Sequence, residues 1–321
     1  MAHVYVLIEH ENGQLNPVSK ELIAAARPLG SVHAVVVSAP GRCEQLPAEL
    51  ASAGVDKIYS AEVADYEQRL VLPEVDALST VAASNPGPIV VAAGTAGNEI
   101  VGRLGARLAS GILSDVVGIN ADGTAQHSIF GGSVDVVAQA EGDCPLYSLR
   151  PGAVEPEANP VQGAGNLEKI VLGGAAENEA RVASFTPAVK GDRPDLMQAK
   201  NVVAGGRGVG SAENFAEVIE PLADSLGAAV GATRDAVDDG MYAPAHQIGQ
   251  TGVTVSPKLY IGLGISGAIQ HLAGMQTAEH IVVVNQDADE PFFAVADLGV
   301  VGDLHEIAPA LTAELRARAQ S

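Results

Sequence analysis

A chain of 321 residues with 47% hydrophobic side chains is long enough for two cored domains and too apolar to be disordered. Its 39 acidic against 18 basic residues give a formal charge of −21, which argues against a nucleic-acid partner and against attraction to an anionic membrane surface. With 36 glycines, no Trp and 3% aromatics the composition suits helices lying close on a parallel sheet, and no segment reaches the ~18 consecutive apolar residues of a membrane helix.

Val4 to Ile8 reads as a buried first strand. No basic region precedes it and Glu9 ends its apolar run, so it is not a signal peptide, and the expected compartment is the cytosol. Asn16 and Pro17 open a helix to Ala26 in the cap and first-turn positions each residue favours. Strands follow at Val32 to Val37, at 56–59 and at Pro88 to Ala92. A helix from Asn98 to Leu108 then carries Ile100, Val101, Leu104 and Leu108 on one stripe. Residues 116–119, 133–139 and 146–149 are short β-like pieces that extend the sheet or form hairpins. Cys43 and Cys144 match no metal or redox spacing and are expected to be reduced and inert.

The polar, proline-bounded run Pro187 to Pro194 looks like an interdomain linker; Glu155 to Pro160 competes, but the apolar strand Lys169 to Leu172 beyond it needs the first sheet. The expected division is 1–188, a linker at 189–194, and 195–321. In the second part a strand at Asn201 to Ala204 leads to Gly205-Gly206-Arg207-Gly208, and Ser211 caps a helix from Ala212 to Leu226. Strands at 228–231, 259–263, 280–284 and about 293–296 complete five, and a helix from Glu306 to Arg318 closes the chain. The alternation predicts an α/β protein of two doubly wound parallel-sheet domains, the C-terminal one Rossmann-like.

The run Leu259 to Asn285 is the most informative. Gly262-Leu-Gly264-Ile-Ser266-Gly267 follows a strand, opens a helix and matches the dinucleotide pattern G-x-G-x-x-G, with Asp287 about 20 residues on. Alone the pattern is weak. It sits in the middle of its unit, the next strand ends in Asn285 where an NAD site has a carboxylate, and the first strand ends in Arg207. Polar groups cluster at every strand end: Arg207; Thr233 and Arg234; Gln247, Gln250 and Thr251; Ser266, Gln270 and His271; Asn285; Asp303. Ligands of doubly wound folds lie at that edge, and a large two-part ligand with a pyrophosphate at Ser266-Gly267 fits this line. Taken singly, Asn285 and Asp303 could equally cap turns. No metal-ligand spacing, G-x-S-x-G elbow, Walker lysine or nucleophile with its base is present. The chain is built to hold a redox cofactor and not to turn over a substrate itself.

The run LYIGLGISGAIQHLAGMQTAEHIVVVN, together with GGRGVGSAENF, GATRDAVDDG, QIGQTG and PFFAVADLGVVGDL, closely resembles the α subunit of electron-transfer flavoprotein, densely from about Asn201 to Leu304. The resemblance implies a heterodimer with a β subunit and one FAD held by the C-terminal FAD-binding domain. AMP would belong to the β chain. The first domain would be like adenine-nucleotide α-hydrolases but without a nucleotide site. Electrons would come singly from flavin dehydrogenases, such as the acyl-CoA dehydrogenases of fatty acid β-oxidation. They would leave for a membrane quinone oxidoreductase, through an anionic semiquinone.

By position, His271 would face the N1/O2 edge of the flavin, Thr251 would lie near N5, and Arg207 and Arg234 beside the ring. Gln250, Gly264, Ser266, Gly267 and Gln270 would hold the ribityl-pyrophosphate, Asn285, Asp303 and Leu304 would reach the adenosine end, and Thr233 and Gln247 would complete the set. Thr233 stands where many relatives have serine, and Gln286 replaces a lysine of some. A cationic His271 is expected, because each charge-assisted hydrogen bond is worth about 1.5–3 kcal/mol, or roughly 65–130 mV of a one-electron couple. An NAD-dependent oxidoreductase using Gly262 to Gly267, or a redox-silent nucleotide-binding regulatory subunit, remains the alternative.

Overall fold

The computed structural model describes residues 2–319 apart from 12, 131, 133, 158–159, 187–192 and 198. The expected linker at 189–194 thus lies mostly outside the described residues. One compact unit covers Met1–Ile129 and Val134–Pro187, and a second contains Ala188–Ser321. Among the described residues no helix is long and apolar enough to cross a membrane.

The first unit runs β1 (His3–Leu7), β2 (His10–Glu11), β3 (Gln14–Leu15), α1 (Pro17–Ala26), β4 (Ser31–Ser38), α2 (Leu46–Ser52), β5 (Lys57–Glu62), α3 (Leu72–Ser84), β6 (Ile89–Ala92) and α4 (Thr95–Leu108). It continues with β7 (Ile112–Val116), β8 (Gly118–Ile119), β9 (Thr124–Ile129), β10 (Val134–Gln139), β11 (Leu146–Leu149) and β12 (Asn166–Ile170). Seven strands form a sheet in the order β12-β5-β4-β1-β6-β11-β7, parallel throughout. Both faces are covered: Val4 and Val6 point into one apolar core with α1 and α2, Tyr5 and Leu7 into the other with α3 and α4. The near-continuous apolar strands follow from that double burial. Asn16 caps α1, its side chain accepting from the Val18 N–H. Helices α2 and α3 were not expected from the sequence: each has a proline at its start and no side-chain cap, so the usual start signal is weak. The β-like pieces divide as expected. β7 and β11 extend the sheet, whereas β8, β9 and β10 form a separate antiparallel sheet.

The second unit begins with β13 (Asn201–Gly205). Ser211 accepts from the Asn214 N–H to cap α5 (Ala212–Asn214), which passes through a π turn at Phe215–Ile219 into α6 (Glu220–Leu226). β14 (Ala229–Ala232), α7 (Arg234–Asp238), β15 (Leu259–Leu263), α8 (Ile269–Leu272), β16 (His280–Asn285), β17 (Leu298–Val301) and α9 (Leu304–Ala319) follow. The parallel sheet has the order β14-β13-β15-β16-β17, one of the two common doubly wound orders. One expectation is corrected. Residues 293–296 are not a strand; Pro291–Val295 is a 3-10 turn and the edge strand lies at Leu298–Val301. Pro291 fixes φ, Phe292 is fully buried, and its N–H donates to the Ser266 carbonyl at 3.1 Å. The apolar run is thereby spent on packing beneath the glycine turn.

Candidate functional site: the carboxyl edge of the second sheet

The chain leaves β13 toward one face of its sheet and β15 toward the other. Phe215, Ile219 and Leu222 join one core, while Leu272, Met275 and Phe292 join the opposite one. The carboxyl ends of these neighbouring strands therefore open a crevice between diverging loops, the switch point of a doubly wound sheet. The two loops touch backbone to backbone. Gly206 N–H donates to the Leu263 carbonyl at 2.9 Å, and Gly208 N–H to the Gly264 carbonyl at 3.0 Å. A Cβ on Gly206 would come within 2.2 Å of that same Gly264 oxygen, and Gly264 itself has φ +62°. These positions must be glycine for the crevice to keep its shape.

Gly262, the first glycine of the apparent fingerprint, lies inside β15, where a side chain would run into the ring of Phe292. The helix that follows has a single turn, Ile269–Leu272. The G-x-G-x-x-G spacing thus does not fold as an NAD fingerprint. Asp287 turns back on the chain, its carboxylate accepting from the Asp289 N–H.

A cavity of about 620 Å³ lies along this edge, within the usual size range of cofactor pockets. Its walls include Arg207, Thr233, Arg234, Gln247, Gln250, Thr251, Gly264, Ser266, Gln270, His271 and Asn285, eleven of the fourteen residues singled out from the sequence. The other three are elsewhere. Leu304 is buried in the core beside Gly264. Asp303 accepts from the His305 N–H at the start of α9. Gly267 holds φ +86° with Phe292 pressed against it.

Several wall residues also brace the walls. Thr233 caps α7 by accepting from the Ala236 N–H. Asn285 donates from Nδ2 to the Ile265 carbonyl at 3.0 Å and accepts from the Asp287 N–H. Gln250 N–H donates to the Gln270 carbonyl at 2.7 Å, tying the 247–251 loop to α8. Gln247 donates from Nε2 to Thr251 Oγ1 at 2.9 Å, so the Thr251 hydroxyl keeps its hydrogen for another acceptor. Arg207 makes no ion pair among the described residues, whereas Arg234 pairs with Asp238 at 3.3 Å on the exposed side of α7. Asp235 and Glu290 also line the walls. No sequence signal marks these acids, because charges beside turns are the commonest kind of surface residue.

His271 departs most from its sequence expectation. It is 6% exposed, its Nδ1 lies 3.1 Å from the Ile248 carbonyl, and its Nε2 lies 2.8 Å from the hydroxyl of fully buried Tyr260. Burial pulls its pKa down to about 4, only partly offset by the bond to the Ile248 carbonyl. The imidazole is neutral at pH 7, and the cationic histidine expected from the sequence is corrected: a ring this buried, with no carboxylate partner among the described residues, does not hold the charge. Tyr260 escaped the sequence reading because a strand tyrosine is ordinarily core.

A doubly wound α/β unit with a large polar cavity at its switch point and glycine-only backbone contacts is a nucleotide-cofactor domain. Family comparison narrows this. Residues 4–189 match the model of the electron transfer flavoprotein domain, and residues 195–276 match the electron transfer flavoprotein FAD-binding domain. The chain is 53% identical over 319 residues to the electron transfer flavoprotein subunit alpha of Mycobacterium leprae and 56% identical to that of Mycobacterium tuberculosis strain H37Rv, covering 99% of each chain. It is 40% identical to that of Paracoccus denitrificans, covering 97% of this chain and 99% of the relative. The chain belongs to the electron transfer flavoprotein family as an alpha subunit, and its second unit carries that family's FAD-binding domain. An alpha subunit implies a beta partner.

Proposed function

We propose that the chain is the FAD-holding half of a heterodimeric electron carrier. It would take single electrons from flavin dehydrogenases, the acyl-CoA dehydrogenases of fatty acid β-oxidation among them, and release them to a membrane quinone oxidoreductase. One FAD per heterodimer supplies the redox chemistry. The complex works in the cytoplasm and turns over no substrate of its own. The β subunit carries any AMP. The domain parse that goes with this is 1–188 for the first domain, 189–194 as linker and 195–321 for the FAD domain.

The observation that carries this reading is the set of donors left over around the cavity. The side chains of Arg207, Gln250, Ser266 and Gln270 all line it, and none hydrogen-bonds to the protein among the described residues. All four are exposed, so gathered at the edge where ligands bind and free of protein partners they are available to a ligand. Their chemistry fits FAD: amide and hydroxyl donors for the ribityl and phosphate oxygens, two guanidinium groups for negative charge on the ring, and the Thr251 hydroxyl hydrogen for a ring nitrogen. Asn285 and Asp303 are assigned to the adenosine end, Gly264 and Gly267 to close backbone approach, Gln247 to holding Thr251, and Leu304 to backing the Gly264 turn. Within this assignment His271 contacts the ring as a neutral group.

Co-purification with the β subunit tests the proposal. It predicts a yellow complex with one FAD per heterodimer and a radical signal by electron paramagnetic resonance on photoreduction. A colourless complex that binds NAD, or a flavin that accepts only electron pairs, rejects it.

A further inference from the structure

Resting on the FAD assignment above, we propose that Tyr260 is a positioning residue. It presents His271 to the cavity as the neutral imidazole with its proton on Nδ1, so that the fixed positive charge of the site comes from Arg207 and Arg234 alone.

The geometry fixes the tautomer. A carbonyl oxygen can only accept, so the contact with Ile248 requires the proton on Nδ1. A neutral ring then has a bare Nε2, and the Tyr260 hydroxyl donates to it. A protonated ring would reverse this bond. Nε2–H would donate to the Tyr260 oxygen, and the tyrosine hydrogen would need a new acceptor. Tyr260 is fully buried in the core and makes no other hydrogen bond among the described residues, so the reversed state strands a buried donor.

The ring's surroundings agree. Tyr260 comes from β15, Ile248 from the loop before it, and the Phe292 ring meets the imidazole edge-on at 6.1 Å. Of these only Tyr260 can titrate, and burial pushes its own pKa well up. Its own helix adds only Ile269, Gln270 and Leu272. The cavity walls carry Arg207, Arg234, Asp235, Asp238 and Glu290, none of which hydrogen-bonds the ring. With both ring nitrogens taken by the protein, His271 meets a ligand through its carbon edge and its dipole. The proton count of His271 therefore stays constant through the neutral pH range.

The test labels histidine with ¹⁵N in the full chain, FAD-free and in the FAD-loaded heterodimer. The expected His271 spectrum shows a protonated Nδ1 and a bare Nε2, unchanged from pH 8 to pH 5.5 in both states. Tyr260→Phe removes the donor to Nε2, and the Nδ1–H population should fall or the ring should titrate at least one pH unit higher. A bare Nδ1, a protonated Nε2 on FAD loading, titration near pH 6.5, or a Tyr260→Phe spectrum identical to wild type overturns the proposal. The wild-type spectrum decides alone if the variant does not fold. Absence of flavin from the heterodimer would reject the FAD assignment instead, while the tautomer of the FAD-free chain would still be read.

Discussion

Both units of this chain wind helices around a parallel sheet, yet their carboxyl edges differ in one physical respect. The first edge pairs most of the polar side chains described there with one another, leaving the Arg150 Nη1 buried without a partner. The Glu9 N–H donates to Ser19 Oγ, whose hydroxyl donates back to the Glu9 carbonyl. Ser148 donates to Asn98 Oδ1 and accepts from the Asp115 N–H, and Arg150 forks onto the Asp115 carboxylate at 3.0 and 2.6 Å. The second edge leaves Arg207, Gln250, Ser266 and Gln270 unmatched around a cavity. Architecture alone does not make a site; unspent hydrogen-bonding capacity at the edge does.

The sharpest way to break this contrast is to fill one glycine in each unit. A Cβ on Gly206 lies 2.2 Å from the Gly264 oxygen, and one on Gly97 lies 1.8 Å from the Ala92 oxygen. Gly206→Ala and Gly97→Ala should each cost about 3 kcal/mol, the upper end for overpacking. Only Gly206→Ala should also empty the complex of FAD, because it forces apart the loops that form the crevice. Flavin absorbance per heterodimer, measured below the unfolding transition, separates the two. Equal FAD loss in both variants would mean that the first edge also shapes the site.

The next effect in size is pH-dependent. His271 folds with a pKa of about 4 against an ordinary 6.5, so the unfolded chain takes up its proton first as pH falls. Stability is present in full above pH 6.5 and declines between about pH 6.5 and 4, by roughly 3 kcal/mol at most. His33 in the first unit, also held down to about 4 by burial and by its neighbours His3 and Lys57, adds a loss of the same sign. Being less buried, it should contribute less. Melting temperature against pH for His271→Asn and His33→Asn should flatten over this window, more for the former. A larger flattening in His33→Asn would reverse the ranking of the two sites.

Much of this was legible beforehand, for definite reasons. Asn16-Pro17 and Ser211 carry their cap signals in the residue type, and the sheet strands are apolar runs because both faces are buried. Strand ends locate a switch point, so Arg207, Thr251 and Gln270 could be grouped without coordinates. What failed depends on contacts distant in sequence. The run at about 293–296 looks like a strand until Phe292 is seen packed on Gly262 and Pro291–Val295 turned as a 3-10 segment. His271 looks like a cation until Tyr260 and Ile248 are seen to occupy both its nitrogens. Asp303 takes the turn-capping role the sequence left open, accepting from the His305 N–H at the start of α9.

Arg207 and Arg150 extend the contrast to charge. Arg207→Ala removes a guanidinium with no protein partner among the described residues, so folding should be almost unaffected. FAD affinity should drop about 10–100-fold, the equivalent of about 1.5–3 kcal/mol for a charge-assisted bond. Arg150→Ala should do the opposite, lowering stability by releasing the Asp115 carboxylate while FAD affinity stays put. Titration of FAD into the deflavinated heterodimer reads both.

The smallest expected effect probes the one place where the second edge spends a cation on itself. Arg234 and Asp238 form an exposed pair one helical turn apart, worth about 0.3–0.5 kcal/mol and weakened by salt. Asp238→Asn releases the guanidinium next to the cavity and removes one of its wall carboxylates. FAD affinity should therefore rise about twofold at low salt, and the difference from wild type should shrink toward 1 M salt. An unchanged affinity at low salt would mean that Arg234 serves α7 and not the ligand. Arg207 would then be the one guanidinium among the described residues positioned to meet negative charge on the ring.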